Sequence, residues 1–326
     1  MMSRLRRWVG CLLVAVCVGS FLDGRPASGQ GAETVGVVTE IKAGRGRVEV
    51  KPAGTPAWRQ ARPLLALRAG DEVRATEDAS VVILMSGGRG TTRVDAKGSP
   101  WVVPGPQAGE GKAQKAQALL QASLNYLSSS AKEPPKAVLA TRAGAKPPLI
   151  LSPHNSPVLP GSLTLEWLGS RFSHYAVRIA RPSGVVLERK GLTGAKFEYP
   201  PDAPPLSPGV RYTVQVISGN HPAQEAWFEI VEPSRAEAIQ RDLAALEQEL
   251  GPVVSPNTLV TLRAGFLADN GLIHDARRSV LAALAKDPDE PTLHTLLGNL
   301  YAKAGLSELA AESYDEAEFL LTRGTK

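Results

Sequence analysis

The chain has 326 residues, 43% hydrophobic and 21% charged, which is ordinary for a folded soluble protein and long enough for two or three domains. Its 31 Gly and 26 Pro favour short β modules and linkers over one large α/β domain. The net charge is +5, but the first 29 residues carry Arg4, Arg6, Arg7 and Arg25 against Asp23, so the remainder is only about +2 and gives no support for nucleic-acid binding.

Residues 1–29 read as a signal peptide. Three arginines precede an apolar run at 8–22, too short for a membrane span, and the small residues Ala27, Ser28 and Gly29 follow. Cleavage is expected between Gly29 and Gln30, giving a periplasmic or secreted protein of the cell envelope. Contact with a membrane is expected only through an uncleaved N-terminal segment. Cys11 and Cys17 both lie in this run, so no disulfide, thiolate metal site or cysteine nucleophile is expected in the mature chain.

Residues 34–103 read as short strands. Val35, Val37 and Ile41 share one parity, 44–46 is a turn, and Val48 and Val50 resume the alternation. Val81, Ile83 and Met85 alternate with Val82 and Leu84, predicting a strand buried on both faces. Gly70-Asp71 and Gly87-Gly88 are turn signals. Asp71, Glu72, Glu77 and Asp78 read as a solvated turn, because the alternating oxygen ligands of a calcium loop are absent. The stretches VGVVTEIKAGRGRVEV, LRAGDEVRATEDASVVILMSGG and RVDAKGSPWVV resemble the FecR-type periplasmic domain. The resemblance implies an all-β exported domain. The family's contact with a sigma factor is not expected, since only seven residues precede the apolar run.

Residues 104–148 read as a linker with a helix at 113–127, whose stripe is Ala116, Leu120, Leu124 and Leu127, packed on a neighbouring domain. Residues 149–231 carry the alternation of a β-sandwich. Leu163, Leu165 and Trp167 share a face, as do Tyr175, Val177 and Ile179, then Phe197 and Tyr199, then Tyr212, Val214 and Val216, and finally Ala226, Phe228 and Ile230. The run from Leu206 to Tyr212 resembles the tyrosine corner of fibronectin type III and Ig-like domains, which implies a Tyr212 hydroxyl bonded to upstream backbone and Trp167 at the core centre. His154, His174 and His221 lack the spacing of metal ligands.

Residues 234–326 read as helical. Ser234 and Glu237 suggest a capping box, Ile239, Leu243, Leu246 and Leu250 line one face, and Gly251-Pro252 stops the helix. A repeat of 34 residues follows, matching Thr258 with Thr292, Leu262 with Leu296, Ala264 with Gly298, Gly271 with Gly305, Ala276 with Ala310 and Val280 with Tyr314. Period and pattern resemble tetratricopeptide repeats, with His294 where Trp is typical. Two copies fall short of a stable stack, so the helix at 234–250 is expected to add a layer.

The fold class expected is therefore multidomain β + α: an all-β FecR-like domain, a fibronectin type III/Ig-like sandwich and C-terminal α-helical hairpin repeats. No P-loop, G-x-S-x-G elbow, H-E-x-x-H or dinucleotide fingerprint occurs, and Gly87-Gly88-Arg89-Gly90 opens no predicted helix. No enzyme, catalytic residue, cofactor or metal is expected. The expected function is that of a scaffold or adaptor whose repeats bind envelope proteins through Leu259, Arg263, Leu267, His294, Leu297 and Tyr301. A signalling accessory sensing an envelope ligand and a polysaccharide-binding protein are the alternatives.

Overall fold

β-branched residues dominate the first strands, and their alternation builds two four-stranded sheets around one core. The computed structural model describes residues 34–86, 89–105, 119, 121–124, 126–127, 148–219 and 221–323. β1 (Thr34–Lys42), β4 (Ala66–Arg68), β6 (Ser80–Met85) and β7 (Thr91–Asp95) form one sheet in the order β4-β1-β6-β7. β2 (Val48–Lys51), β3 (Arg59–Gln60), β5 (Glu72–Ala75) and β8 (Trp101–Val102) form the other, in the order β3-β2-β5-β8. Val35, Val38, Ile41, Val81 and Ile83 meet Val48, Val50 and Val73 between them.

β1 departs from simple alternation. Its pairing with β6 shifts register between Val38 and Glu40, and its pairing with β4 shifts between Thr34 and Gly36. Val37 therefore joins the core shared with the helices, while Val35, Val38 and Ile41 join the sheet core. The single face expected for Val35, Val37 and Ile41 is thus split by bulges. On β6 the double burial is present: Leu84 faces the helices, and Val81, Ile83 and Met85 face the sheet core. Asp71 corrects the reading of a solvated acidic turn. It is buried, and its carboxylate accepts the N–H groups of Ala53 (2.9 Å) and Arg68 (2.8 Å), whereas Asp78 accepts from Arg45 at an exposed turn. The signal segment at 1–29 and the Gly87-Gly88 turn lie outside the described residues.

The second β region pairs a three-stranded with a five-stranded sheet. β9 (Leu149–Ser152), β11 (Thr164–Leu168) and β14 (Lys196–Glu198) form the order β14-β11-β9. β10 (Ser156–Val158), β12 (His174–Arg181), β13 (Gly184–Thr193), β15 (Arg211–Ile217) and β16 (Gln224–Ile230) form the order β10-β16-β15-β12-β13, with β10 parallel to β16. The inward residues expected from alternation share one core, with Tyr199 packed at its margin. Trp167 lies edge-on to Tyr175 with ring centroids 5.4 Å apart, and the Tyr212 hydroxyl accepts the N–H of Ser207 at 2.7 Å.

Five helices follow among the described residues: α1 (Pro233–Leu250), α2 (Pro256–Asp269), α3 (Ile273–Leu284), α4 (Pro291–Lys303) and α5 (Ser307–Thr322). Ser234 is not a cap. Pro233 takes the first helical turn, where its missing N–H costs nothing, so Glu232 becomes the N-cap and makes no side-chain cap bond. The stripe Ile239, Leu243, Leu246 and Leu250 is buried in the core of the repeats. Residues 119, 121–124 and 126–127 are helical, with Leu124 and Leu127 in that same core; Ala116 and Leu120 lie outside the described residues. Among the described residues no helix is long and apolar enough to cross a membrane.

Candidate functional site

The two hairpins α2–α3 and α4–α5 repeat in atomic detail. Each turn is closed by a glycine in the left-handed region, Gly271 at φ 80° and Gly305 at φ 81°. The next N–H returns to the carbonyl five residues back, Leu272 to Leu267 at 2.9 Å and Leu306 to Tyr301 at 2.8 Å, so a Schellman motif sets both crossings. Gly298 lies under Tyr314: a Cβ there would stand 2.5 Å from Cε1 of the ring. Ala264 and Val280 hold the equivalent positions in the first hairpin, both fully buried.

The six residues expected to bind a partner do not form one open surface. Leu267, Leu297 and Tyr301 are buried in the helical core, and Leu259 packs half-buried against it. Arg263 pairs with Glu247 of α1. His294 is half-buried, with Nε2 2.7 Å from the Pro288 carbonyl. Leu124 and Leu127 pack on part of the same core, and a Cβ on Gly265 would meet Leu127 Cγ at 3.2 Å. Periodicity identifies an apolar helix face, but it does not say which element covers that face.

The polar chemistry is concentrated where the repeats meet the β regions. At the first junction β1 meets the N-termini of α2 and α4. Ser255 caps α2 by accepting the Thr258 N–H at 3.1 Å, and its hydroxyl donates to Glu40. Thr258 Oγ1 lies 2.8 Å from Glu40 Oε1 and 3.0 Å from Thr39 Oγ1. Glu290 caps α4 by accepting the Thr292 N–H at 3.2 Å, and the Ile41 N–H faces the same carboxylate oxygen from 3.5 Å. Burial pushes the Glu290 carboxyl up to about 7; the bond from the Thr292 N–H opposes the shift and the neighbouring Glu40 adds to it.

At the second junction α3 packs against the sandwich. Ser152 Oγ lies 2.7 Å from His274 Nδ1, and both side chains are buried. Asp275 accepts the Leu159 N–H at 3.0 Å, and burial raises its carboxyl against that bond. Arg277 reaches Glu166 of β11 at 2.6 Å, donates to the Tyr301 hydroxyl at 3.3 Å and lies 5.6 Å from that ring's centroid.

The Ser152–His274 contact was not expected, since nothing in the spacing of the chain brings these residues together. Its chemistry is that of an interlock. Burial, with Arg278 and Arg277 nearby, drives the imidazole down to about 4, so it stays neutral and is a weak proton acceptor. The adjoining cavity of ≈10 Å³, lined by Ser152, His154, His274, Arg277 and Tyr301 among others, has room for about one water. His154 bonds the Ile150 carbonyl at 2.8 Å, and among the described residues no three His, Cys, Asp or Glu side chains are grouped to hold a metal.

The junction residues left a partial signal in the sequence. Thr258 and Thr292 recur at one repeat position, and Glu40 interrupts an apolar strand. Compared with protein-family models and with curated proteins, the chain matches none.

Proposed function

We propose that this protein is an exported, non-catalytic scaffold of the bacterial cell envelope that binds protein partners through its helical repeats. The observation that carries the reading is the way the repeats are used within the chain. Their helices recognise two different β surfaces at once, β1 through hydroxyls and carboxylates and the sandwich through His274 and Arg277. A surface that combines apolar packing with buried, paired polar groups is one that recognises protein. Export is supported by the pattern of residues 4–29, and the β regions then act as arms held by the repeats.

The face left for a partner is the outer side of α5. It carries Phe319, 57% exposed, among the exposed Glu312, Asp315 and Glu316, on the last helix of the stack, whose Leu321 reaches the first β core. Repeat stacks add their next layer at such an end. The test is affinity capture from envelope extract with residues 30–326, followed by cross-linking of each captured protein to α5. A direct protein partner lost on Phe319→Asp, with the melt unchanged, is the expected result. Retention of glycan without protein would favour the polysaccharide-binding alternative and overturn the scaffold reading.

A further inference from the structure

Two carboxylic acids are buried together where β1 meets the repeats. Glu40 is 7% exposed and Glu290 is 1% exposed. Glu40 accepts from the hydroxyls of Ser255 and Thr258, and Glu290 accepts from the backbone of α4 and faces that of β1. Among the described residues no cation bonds either group. Lys42 and Arg93 line a cavity of ≈30 Å³ beside Glu40, where Arg93 donates to Ser80 at 3.1 Å. On the approach to α4, Asp287 accepts from Asn257 and Asp289 pairs with Arg323, while His294 is turned to the Pro288 carbonyl.

A desolvated carboxylate without a cation, as at Glu290, is costly to ionise, and a bound proton removes most of that cost. The geometry points to a proton-operated latch: Glu290, buried without a cation between β1 and α4, holds the first β region on the repeats while it keeps its proton, and its grip weakens when it ionises. Burial holds the Glu290 carboxyl up to about 7, with the neighbouring Glu40 adding to the shift. An opened junction ionises Glu290 near the ordinary carboxylate value of 4.5. Opening therefore becomes easier as pH rises from about 4.5 to about 7, and levels off above. The surfaces released are the Val37 and Thr39 side of β1 and the first turns of α2 and α4, which the closed junction buries.

Amide hydrogen exchange on residues 30–326 tests this without any partner, and so independently of the scaffold reading. After correction for base-catalysed exchange, protection of the Ile41, Thr258 and Thr292 amides should fall about 40-fold between pH 5 and pH 7, most steeply near pH 6. Glu290→Gln should hold the pH 5 protection across that range. A wild-type protection that does not change with pH, or the same fall in Glu290→Gln, overturns the latch. Should Glu290→Gln not fold, carboxyl-carbon NMR of the wild type decides: one glutamate titrating near 7 is expected, and all glutamates titrating near 4–5 overturns it.

Discussion

At single residues the repeats carry a size code that their two copies write differently. Gly298 faces Tyr314 where Ala264 and Val280 stand in the first copy, so a small residue always meets its larger neighbour. Gly298→Ala places a methyl 2.5 Å from the tyrosine ring and should cost about 1–3 kcal/mol by overpacking. In a Tyr314→Val background the clash is gone and only the helix preference remains, so the same Gly298→Ala change should stabilise by up to about 1 kcal/mol. Urea denaturation of the four proteins in this cycle reads that reversal of sign; equal costs in both backgrounds would remove the size code. Arg277 is the residue on which the second junction turns. It bonds Glu166 and Tyr301 together, with its own side chain 8% exposed. Arg277→Ala leaves Glu166, one-third exposed, without its partner and should cost about 1–3 kcal/mol. Arg277→Lys should recover only part of this, since an ammonium lacks the fork that spans both partners.

At the level of elements, α1 is the layer that two hairpins alone lack. Its Ile239, Leu243, Leu246 and Leu250 lie in one core with Leu262, Leu296 and Leu300, and Arg235 donates to the Asn270 carbonyl at 2.9 Å to close the end of α2. Removal of residues 233–250 should abolish the cooperative thermal transition of the repeats by circular dichroism, and an unchanged melt would show that the hairpins stand without it. That role was legible in the sequence, because a helix with one apolar stripe must bury it and the neighbouring repeats supplied a matching surface. So were the strands of the sandwich, whose alternation from Leu163 to Ile230 survives intact in one core. β1 was less legible, because bulges at Thr34/Gly36 and Val38/Glu40 turn Val37 away from Val35 and Ile41, and register shifts depend on partner strands that local pattern does not encode. The helix start at Pro233 was displaced by one residue from the expected Ser234 because a proline at N1 competed with a plausible cap. The junctions were least legible: Ser152 and His274 meet across 122 positions, and Thr258 meets Glu40 across 218. Nothing in a single sequence pairs residues at such separations.

Across the whole molecule the two junctions respond to pH in opposite directions. Glu290 is held above its ordinary value of 4.5 at about 7, so between those limits the folded chain keeps a proton that the unfolded chain has released, and stability falls as pH rises. His274 is held below its ordinary 6.5 at about 4, so between those limits the unfolded chain carries the extra proton, and stability rises with pH. Each proton is worth about 1.4 kcal/mol per pH unit, so from about pH 4.5 to 6.5 the two slopes nearly cancel. Global stability of the wild type should then vary little across that range while the site of local opening moves, the sandwich junction yielding toward acid and the β1 junction toward neutrality. Single substitutions separate the contributions. Glu290→Gln leaves the His274 slope uncompensated, and stability should rise by about 2 kcal/mol from pH 4.5 to 6.5. His274→Asn keeps an amide close to Ser152 but no titrating ring, and stability should fall by a similar amount over the same range. Urea unfolding of the three proteins at pH 4.5, 5.5 and 6.5 measures these slopes directly. If all three proteins share one slope, neither group carries the pH dependence and the opposed-junction picture fails; if the variants diverge with opposite signs, the repeats are a body held between two grips that loosen at opposite ends of the pH range.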